Sequence, residues 1–308
     1  MSTGLRTSVI VCTYNEARLT LLRATLDGVA GQDPGCDDLV VVVDHNPALF
    51  QHLREERAGA VVVENTGPKG LSGARNSGIA AASGDVLVFL DDDAVPRARW
   101  LAGLTAPFAD PTIAAVGGRA EPAWEGGTRP AWFPEELDWV VGCSFRGQQQ
   151  GDVRNPIGCS MAVRASVLTE VGGFATELGR VGTLPAGCEE TELGLRINRA
   201  GFRVVLVDDT VVDHFVPHQR ASVRYVLERC FAEGRSKAVV RRLAAVDADG
   251  TLDPERRYVG ALAAGMGRAV VDGARHRSPG TLARAALIPA AGVSAVAGFA
   301  AATLRSRT

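Results

Sequence analysis

Four runs of consecutive apolar residues in the first 90 positions constrain the fold of this chain more than any other feature. The runs lie within residues 8–13, 38–44, 60–65 and 85–90. Continuous Val, Ile and Leu are typical of strands that are buried on both faces. The segments between them, above all the one after Asn15 and residues 70–84, have the residue spacing of helices. This alternation predicts right-handed βαβ units, and therefore an α/β fold with a mainly parallel central sheet flanked by helices.

The residues that follow these four runs are polar. They read TYNE, DHNP, NTGPKG and DDDAVP and begin at positions 13, 44, 65 and 91. Open α/β sheets bind ligands at the carboxyl ends of their strands. The four segments therefore predict a polar rim that surrounds a nucleotide.

Three consecutive aspartates, Asp91, Asp92 and Asp93, come directly after the fourth run. Side chains along a strand alternate between its faces, so Asp91 and Asp93 can converge on one site while Asp92 points elsewhere. Two carboxylates on a turn suit Mg²⁺ or Mn²⁺, completed by a substrate diphosphate whose departure the cation would stabilise. The alternative is a solvated acidic turn that caps the following helix.

The middle of the chain, residues 121–155, is rich in proline and glycine and contains three of the four tryptophans, Trp124, Trp132 and Trp139. This composition predicts a loop-rich insertion. Its tryptophans either stack against an acceptor or fill a core.

The residues after 155 again show the patterns of strands and helices. A strand and a helix are expected within residues 158–174, a helix at 189–201, and strands at 202–207 and 210–215. Ser222 is placed to cap a helix that reaches about Leu243. Beyond Asp247 the chain is an alanine- and arginine-rich helical segment that ends in an apolar tail.

Six motifs follow one another along the chain: SVIVCTYNE, VVVDHNP, GLSGARNSGIAAASGDVLVFLDDDAVP, PIGCSMAVRASVLTEVGGF, CEETELGLRINRAG and VVDHFVP. Over about residues 8–242 they resemble the family 2 glycosyltransferases, which are inverting enzymes with a GT-A fold. The resemblance implies a nucleotide-diphospho-sugar transferase fold with a helical C-terminal tail. We expect a GT-A domain at 1–245, whose nucleotide-sugar and acceptor halves lie at about 8–120 and 121–245, and a helical extension at 246–308.

The same resemblance implies which residues bind the nucleotide sugar. The nucleobase and ribose would contact Thr13, Tyr14, Asn15, Glu16 and Asp44. Asp44 suits this role because a carboxylate can accept a hydrogen bond from a pyrimidine imide, although it could also be a turn-forming residue. Further contacts to the nucleotide, sugar or diphosphate are expected from Arg75, Asn76, Asp91, Asp92, Arg180 and Arg220, with Arg224 as an alternative to Arg220.

The acidic segment CEETEL supplies the expected catalytic base. By position the base is Glu190, with Glu189 as the alternative, because the family most often has Glu-Asp where this chain has Glu-Glu. Acidic residues in a first helical turn also complement the helix dipole, which is the competing interpretation. The expected metal ligands are Asp93, Asp91 and His214, and the runners-up to His214 are Asp213 and His218.

The predicted function is metal-dependent inverting transfer of a sugar from a nucleotide-diphospho-sugar, with UDP favoured, to a hydroxyl acceptor such as a glycan, lipid-linked saccharide or secondary metabolite. A catalytically degenerate nucleotide-binding homologue is one alternative. A nucleotidyltransferase is another, although TYNEAR stands where a glycine-rich loop would be expected. A processive synthase would need several membrane spans and a QxxRW motif.

Composition sets the expected location and partners. A net charge of −2 gives no reason to expect nucleic acid as a partner. Six scattered cysteines and the absence of a signal peptide in the given sequence predict a cytoplasmic protein with reduced thiols. Residues 286–304 carry no charge and have the length of a membrane span, but they are mostly alanine and glycine. We expect a tail helix that packs on the body or touches the inner face of the membrane peripherally.

Overall fold

The computed structural model describes residues 4–56, 59–182, 185–243, 253–276 and 279–305. Within it the chain forms two compact units. The first comprises Met1–Glu121, Gln149–Leu184 and Glu189–His214, and the second comprises Pro122–Gln148, Pro185–Cys188 and Phe215–Thr308. The expected boundary between residues 245 and 246 lies outside the described residues, so the domain assignment stays a prediction.

The predicted strands of the first unit are present as a parallel set. These strands are β1 (Thr7–Thr13), β2 (Asp38–Val43), β3 (Val61–Glu64) and β4 (Val86–Asp91), in the sheet order β3-β2-β1-β4. The central positions of β1, β2 and β4 are almost fully buried, as expected for strands that are covered on both faces. In β3, at the edge of the sheet, Val61 is exposed and the other three residues are half-buried, so the prediction of burial on both faces is wrong for this strand. All three pairings are parallel, so the carboxyl ends meet at one edge.

Antiparallel pairings occur in the rest of the sheet, which makes the whole sheet mixed. It continues from β4 through the strands β8 (Ser160–Arg164), β6 (Ile113–Trp124), β9 (Arg203–Val216) and β5 (Ala94–Pro96), while β7 (Gly151–Asp152) pairs with β9. The two expected strands at 202–207 and 210–215 are one continuous strand, β9. The mainly parallel arrangement that the sequence predicts is therefore confined to the first four strands.

Among the described residues, the first unit contains the α-helices α1 (Leu19–Ala30), α2 (Pro47–Glu56), α3 (Leu71–Ala81), α4 (Trp100–Thr105), α5 (Ala165–Val171) and α6 (Glu189–Arg199). The small residues of α3 let it approach the sheet closely. A Cβ at Gly78 would overlap the Ile10 side chain. This close packing fixes the position of α3 over β1 and β2.

The second unit is helical. It contains α7 (Val223–Leu243), α8 (Asp253–His276), α9 (Pro279–Arg305) and a 3₁₀ helix at Glu135–Val141. The predicted cap of α7 is present, since the Ser222 hydroxyl accepts a hydrogen bond from the Tyr225 amide at 3.2 Å. Of the described helices, only α9 is long and apolar enough to cross a membrane by length and composition.

The three tryptophans of the predicted insertion pack against aromatic and cationic side chains of the second unit. Trp124 and Trp132 each contact Phe133. The Trp139 indole donates to the Tyr258 hydroxyl at 2.5 Å. All three are half-buried, which agrees with a packing role and leaves their contact with an acceptor a prediction.

Candidate active site

Three of the predicted metal ligands lie together at the end of β4. Each of Asp91, Asp93 and His214 offers a ligand atom, and these atoms all lie within 4.8 Å of one another. The pairing of β5 with β9 sets His214 opposite Ala94, which brings the histidine beside the aspartate turn. His214 Nε2 is 3.4 Å from an Asp93 carboxylate oxygen, and both side chains are 3% exposed. Two carboxylates and an imidazole form a donor set that suits Mn²⁺ or Mg²⁺.

Asp92 turns to a different partner. Its carboxylate accepts hydrogen bonds from Arg18 Nε at 2.9 Å and from the Thr13 hydroxyl at 2.7 Å. Burial is the largest influence on Asp92 and raises its pKa to about 6, although the Arg18 guanidinium acts in the opposite direction. Arg18 Nη2 also lies 2.6 Å from Asp93. Arg18 therefore holds two of the three aspartates and fixes the shape of the turn.

Arg75 connects the aspartate turn to the acidic helix. Its guanidinium is buried and lies 2.9 Å from Glu189 Oε1 and 3.3 Å from Asp91 Oδ1. It also donates to the Gly158 carbonyl at 2.7 Å and stacks over the Phe174 ring. Burial acts to lower the pKa of Arg75, but the carboxylates of Glu189 and Asp91 outweigh it and raise the pKa. Arg75 is thus engaged by protein groups on several sides.

The two candidate bases begin α6 and have different surroundings. Glu189 is 5% exposed, and one of its oxygens is paired with Arg75. The other oxygen, Oε2, is buried and has no hydrogen-bond partner among the described residues. Glu190 is half-buried. Both carboxylates stand at the positive end of the α6 dipole, and they differ in exposure.

The predicted nucleobase residues occupy the ends of β1 and β2. Asp44 accepts hydrogen bonds from the Asn65 amide at 2.6 Å and from the Gly70 backbone N–H at 2.9 Å, and His45 Nδ1 lies 2.9 Å from one of its oxygens. A carboxylate can accept about four hydrogen bonds, so these three contacts do not exhaust it. Tyr14 is 40% exposed.

The remaining predicted nucleotide-sugar residues have local partners. Asn15 caps the 3₁₀ helix at Glu16–Arg18, and the Glu16 carboxylate accepts a hydrogen bond from the Asn46 amide at 3.0 Å. The Asn76 side chain bonds both backbone groups of Phe174. Arg180 is half-buried, and its carbonyl accepts the Leu71 N–H at 2.8 Å. Arg220 belongs to the second unit. Ligand contacts of these residues stay predictions.

Sequence reasoning missed Arg18 and Asn65, which support the predicted site from its own polar segments. Arg18 is the last residue of TYNEAR, and Asn65 begins NTGPKG. The signal for Arg18 was the aspartate turn itself, because three crowded carboxylates call for a cationic neighbour. The choice among the arginines required the fold.

A mixed, helix-flanked sheet whose strand ends hold Asp91, Asp93 and His214 beside an acidic helix start defines a glycosyltransferase with the GT-A fold. The chain belongs to glycosyl transferase family 2, which its residues 8–172, more than half of its length, match. The predictions of the family, of the GT-A fold and of a transferase enzyme are confirmed.

Two curated relatives and one solved structure illustrate the similarity. The chain is 32% identical over 243 residues to the glucosyl-dolichyl phosphate glucuronosyltransferase of Haloferax volcanii, with 77% of each chain covered. It is 28% identical over 240 residues to the succinoglycan biosynthesis protein ExoM of Rhizobium meliloti, covering 73% of this chain and 72% of that one. A mannosyltransferase from Pyrobaculum calidifontis, solved with GDP-Man and Mn²⁺, superposes with a TM-score of 0.62 at 22% identity, covering 95% of this chain and 87% of that one. At this identity the structural likeness shows the fold alone.

Proposed function

We propose that this glycosyltransferase moves a sugar from a nucleotide-diphospho-sugar to a hydroxyl acceptor with inversion at the anomeric carbon. One observation carries the proposal. Arg75 binds both Asp91 of the carboxylate–imidazole cluster and Glu189 at the start of α6. The groups proposed to bind the diphosphate end and the groups proposed to take the acceptor proton are therefore joined through one buried side chain.

Asp91 and Asp93 fit Mn²⁺ or Mg²⁺ because carboxylate oxygens are the ligands that these ions prefer, and Mn²⁺ also accepts an imidazole such as that of His214. When bound, the cation would neutralise the diphosphate and stabilise it as a leaving group. The protein's own contribution is to hold the carboxylates in place. Arg18 does so for Asp93 and Arg75 does so for Asp91.

In the proposed step, the acceptor oxygen forms a bond to the anomeric carbon of the donor sugar. The bond between that carbon and the diphosphate oxygen breaks, and the nucleoside diphosphate leaves with the electron pair. The hydroxyl proton passes to a carboxylate at the start of α6. Because attack and departure take place on opposite faces, one displacement inverts the anomeric centre.

We assign the base to Glu190 rather than to Glu189. Glu189 is almost fully buried and one of its oxygens is paired with Arg75, so it is not open to an incoming acceptor hydroxyl. Glu190 is more exposed, as a group that must meet an incoming acceptor needs to be. Glu189 then keeps Arg75 in position.

We propose a UDP-sugar as the donor, because Asp44 lies at the end of β2 with capacity to accept a hydrogen bond from a pyrimidine imide. The competing donor is a GDP-sugar, since the similar mannosyltransferase was solved with GDP-Man. For the acceptor we propose a lipid-linked saccharide or a glycan. The names of the two relatives, which refer to a dolichyl phosphate and to succinoglycan, support this class. The cytoplasm, at the inner face of the membrane, is the proposed location.

Two variants test the chemistry. Asp93→Asn should remove metal-dependent binding of UDP in calorimetry and should abolish transfer. Glu190→Gln should keep metal-dependent UDP binding and lower kcat by about 10²–10⁴-fold, the usual contribution of a general base. Asp208→Asn and Glu170→Gln change exposed carboxylates of the same unit and should leave both properties unchanged.

The outcomes separate the alternatives. Binding of GDP in place of UDP would correct the donor and keep the mechanism. Metal-dependent nucleotide binding by the unaltered chain, with no transfer or hydrolysis for any nucleotide sugar in a screen, would instead identify a degenerate binding homologue. Full transfer activity in both Asp93→Asn and Glu190→Gln would refute the mechanism.

A further inference from the structure

The outer face of α9 is apolar along its whole length. Its exposed positions recur at helical spacing and carry no polar or charged side chain from residue 282 to residue 304. They are Leu282, Ala283, Ala286, Pro289, Ala290, Val293, Val296, Ala297, Ala300 and Leu304. A helix on the surface of a water-exposed protein normally presents its polar side there. The apolar face of α9, defined by those ten residues, is therefore exposed where a polar face would be expected.

Exposure is high at the large side chains of this face. Val293 is 71% exposed, Val296 is 70% exposed and Leu304 is 67% exposed. The most apolar 18 residues of the segment Pro279–Leu304 have a mean hydropathy of 1.8, yet only 22% of this stretch is buried. In a core helix, most of such an apolar stretch would be buried. The helix α8 adds a second stripe at the same spacing, made of Val259, Ala263, Met266 and Val270, all exposed.

The opposite face of α9 packs closely on α7. The Ser294 hydroxyl donates to the Leu227 carbonyl at 2.7 Å, and a Cβ at Gly298 would overlap the Phe231 carbonyl oxygen. The residue pairs 227–294 and 231–298 have the same offset, so the two helices run parallel here. A partner that binds the apolar face therefore contacts α9 on the side opposite to α7.

The position of α7 argues against a membrane span. At about 1.5 Å per residue, Ser294 and Gly298 lie within about 10 Å of the midpoint of the apolar segment, well inside a hydrocarbon half-thickness of about 15 Å. A spanning α9 would carry the neighbouring part of α7 to that depth, including Arg224 and Glu228, whose side chains are 87% and 54% exposed. Charged side chains at the membrane centre are strongly disfavoured, so this geometry opposes a span.

The charge of this part of the chain matches an anionic surface. From Val223 onward the sequence has 14 lysines and arginines against seven aspartates and glutamates, whereas the residues before it have 19 against 28. Exposed arginines on α7 and α8 include Arg241, Arg242, Arg257 and Arg275. Arginine near an apolar face can bind lipid phosphate while its methylene stem stays in contact with the acyl region.

We propose that α9 lies along the surface of an anionic lipid bilayer and docks through its apolar face, with the stripe of α8 as a second contact. The bilayer holds this part of the chain by apolar burial and by attraction between lipid phosphates and the arginines. Docking requires neither donor nor acceptor, so its failure is distinguishable from failure of the proposed transfer reaction.

The test is flotation of the full chain with vesicles. Phosphatidylcholine vesicles are compared with vesicles that contain about 30% phosphatidylglycerol, at low salt. The double variant Val293→Glu/Val296→Glu changes only exposed positions and should lower the partition coefficient at least about tenfold. Val61→Glu alters an exposed valine of the first unit, 47% exposed, and should bind as the unaltered chain does. Circular dichroism checks that both variants keep their helices.

We expect the unaltered chain to float preferentially with the anionic vesicles and to be released by alkaline carbonate. Equal flotation of the double variant, or no flotation of the unaltered chain, would overturn the proposal. Resistance to carbonate, with release only by detergent, would show a span instead. A lipid-free dimer that light scattering finds lost in the double variant, with no vesicle binding, would assign the face to a second copy of the chain.

Discussion

At the scale of single residues, the buried Arg75 and the half-buried Arg18 show how guanidinium groups shape the candidate site. Each holds two carboxylates: Arg75 contacts Asp91 and Glu189, and Arg18 contacts Asp92 and Asp93. Clustered carboxylates repel one another, and each arginine offsets part of that repulsion. We regard both as positioning residues for the cluster and the helix start.

Replacement of Arg75 should expose this role. Arg75→Met leaves two carboxylates without their cation, and we expect a loss of about 3–5 kcal/mol in the free energy of unfolding, measured by urea titration. Arg75→Lys keeps one charge but not the forked geometry and should recover part of the loss. The affinity for Mn²⁺, followed by electron paramagnetic resonance, should fall with the methionine and return partly with the lysine. An unchanged Mn²⁺ affinity in Arg75→Met would contradict a positioning role.

The buried ion pair of Arg229 and Glu233, in the helical unit, predicts that the stability of the chain depends on pH. Burial raises the pKa of Glu233, but Arg229, Lys237 and the Cys188 thiol outweigh it and lower the pKa from 4.5 to about 2. Because the folded-state pKa is depressed, the stabilisation is present above pH 4.5 and is lost as the pH falls towards 2. It amounts to about 3 kcal/mol.

A comparison of the unaltered chain with Glu233→Gln measures the stabilisation that the Glu233 carboxylate contributes. The variant should be less stable at pH 7, because it leaves Arg229 buried without its anion. The difference in unfolding free energy between the two should shrink by about 3 kcal/mol from pH 5 to pH 2, as read from urea titrations. A difference that stays constant over this range would show that Glu233 has an ordinary pKa.

At the scale of elements, glycines decide how closely α7 and α9 approach. A Cβ at Gly234 would overlap the Ala295 carbonyl oxygen, and one at Gly298 would overlap that of Phe231. Gly292, on the same helix as Gly298, has open space around it. The backbones of α7 and α9 are therefore in close contact at Gly234 and Gly298, but not at Gly292.

These glycines provide a matched pair of substitutions. Gly298→Ala should destabilise the chain by about 1–3 kcal/mol through overpacking. Gly292→Ala should instead stabilise it by about 0.5–1 kcal/mol, because alanine has the higher helix propensity. Thermal and urea unfolding measure both. Equal effects of the two substitutions would mean that α7 and α9 are not in contact at Gly298.

At the scale of the whole molecule, ligand binding and folding are linked. A cation that binds the folded state at about one hundred times its dissociation constant adds about 2.7 kcal/mol of stability. We therefore expect Mn²⁺ to raise the melting temperature of the chain by about 5 °C and a chelator to reverse the rise. Asp208→Asn should show the same shift and Asp93→Asn should show none. An undiminished shift in Asp93→Asn would place the cation elsewhere.

The sequence by itself determined the local elements and the chemical character of the site. Buried strands must be continuously apolar and their ends polar, so β1 to β4, the acidic turn after β4 and the acidic start of α6 were all visible as patterns. The helix cap at Ser222 followed from the same local reasoning. Such features depend on a few adjacent residues, which is why a single sequence predicts them.

Only the tertiary structure decided which distant groups meet. The antiparallel pairing of β5 with β9 brings His214 to Asp93, a contact that the sequence predicted only through the family resemblance. Packing selects Arg18 from the chain's many arginines and makes Arg75 the link between Asp91 and Glu189. It also decided that the packed face of α9 is the one with Gly298, which leaves its valines exposed. These choices depend on long-range pairing and packing, in which many residues of similar chemistry compete. Composition and spacing do not resolve that competition.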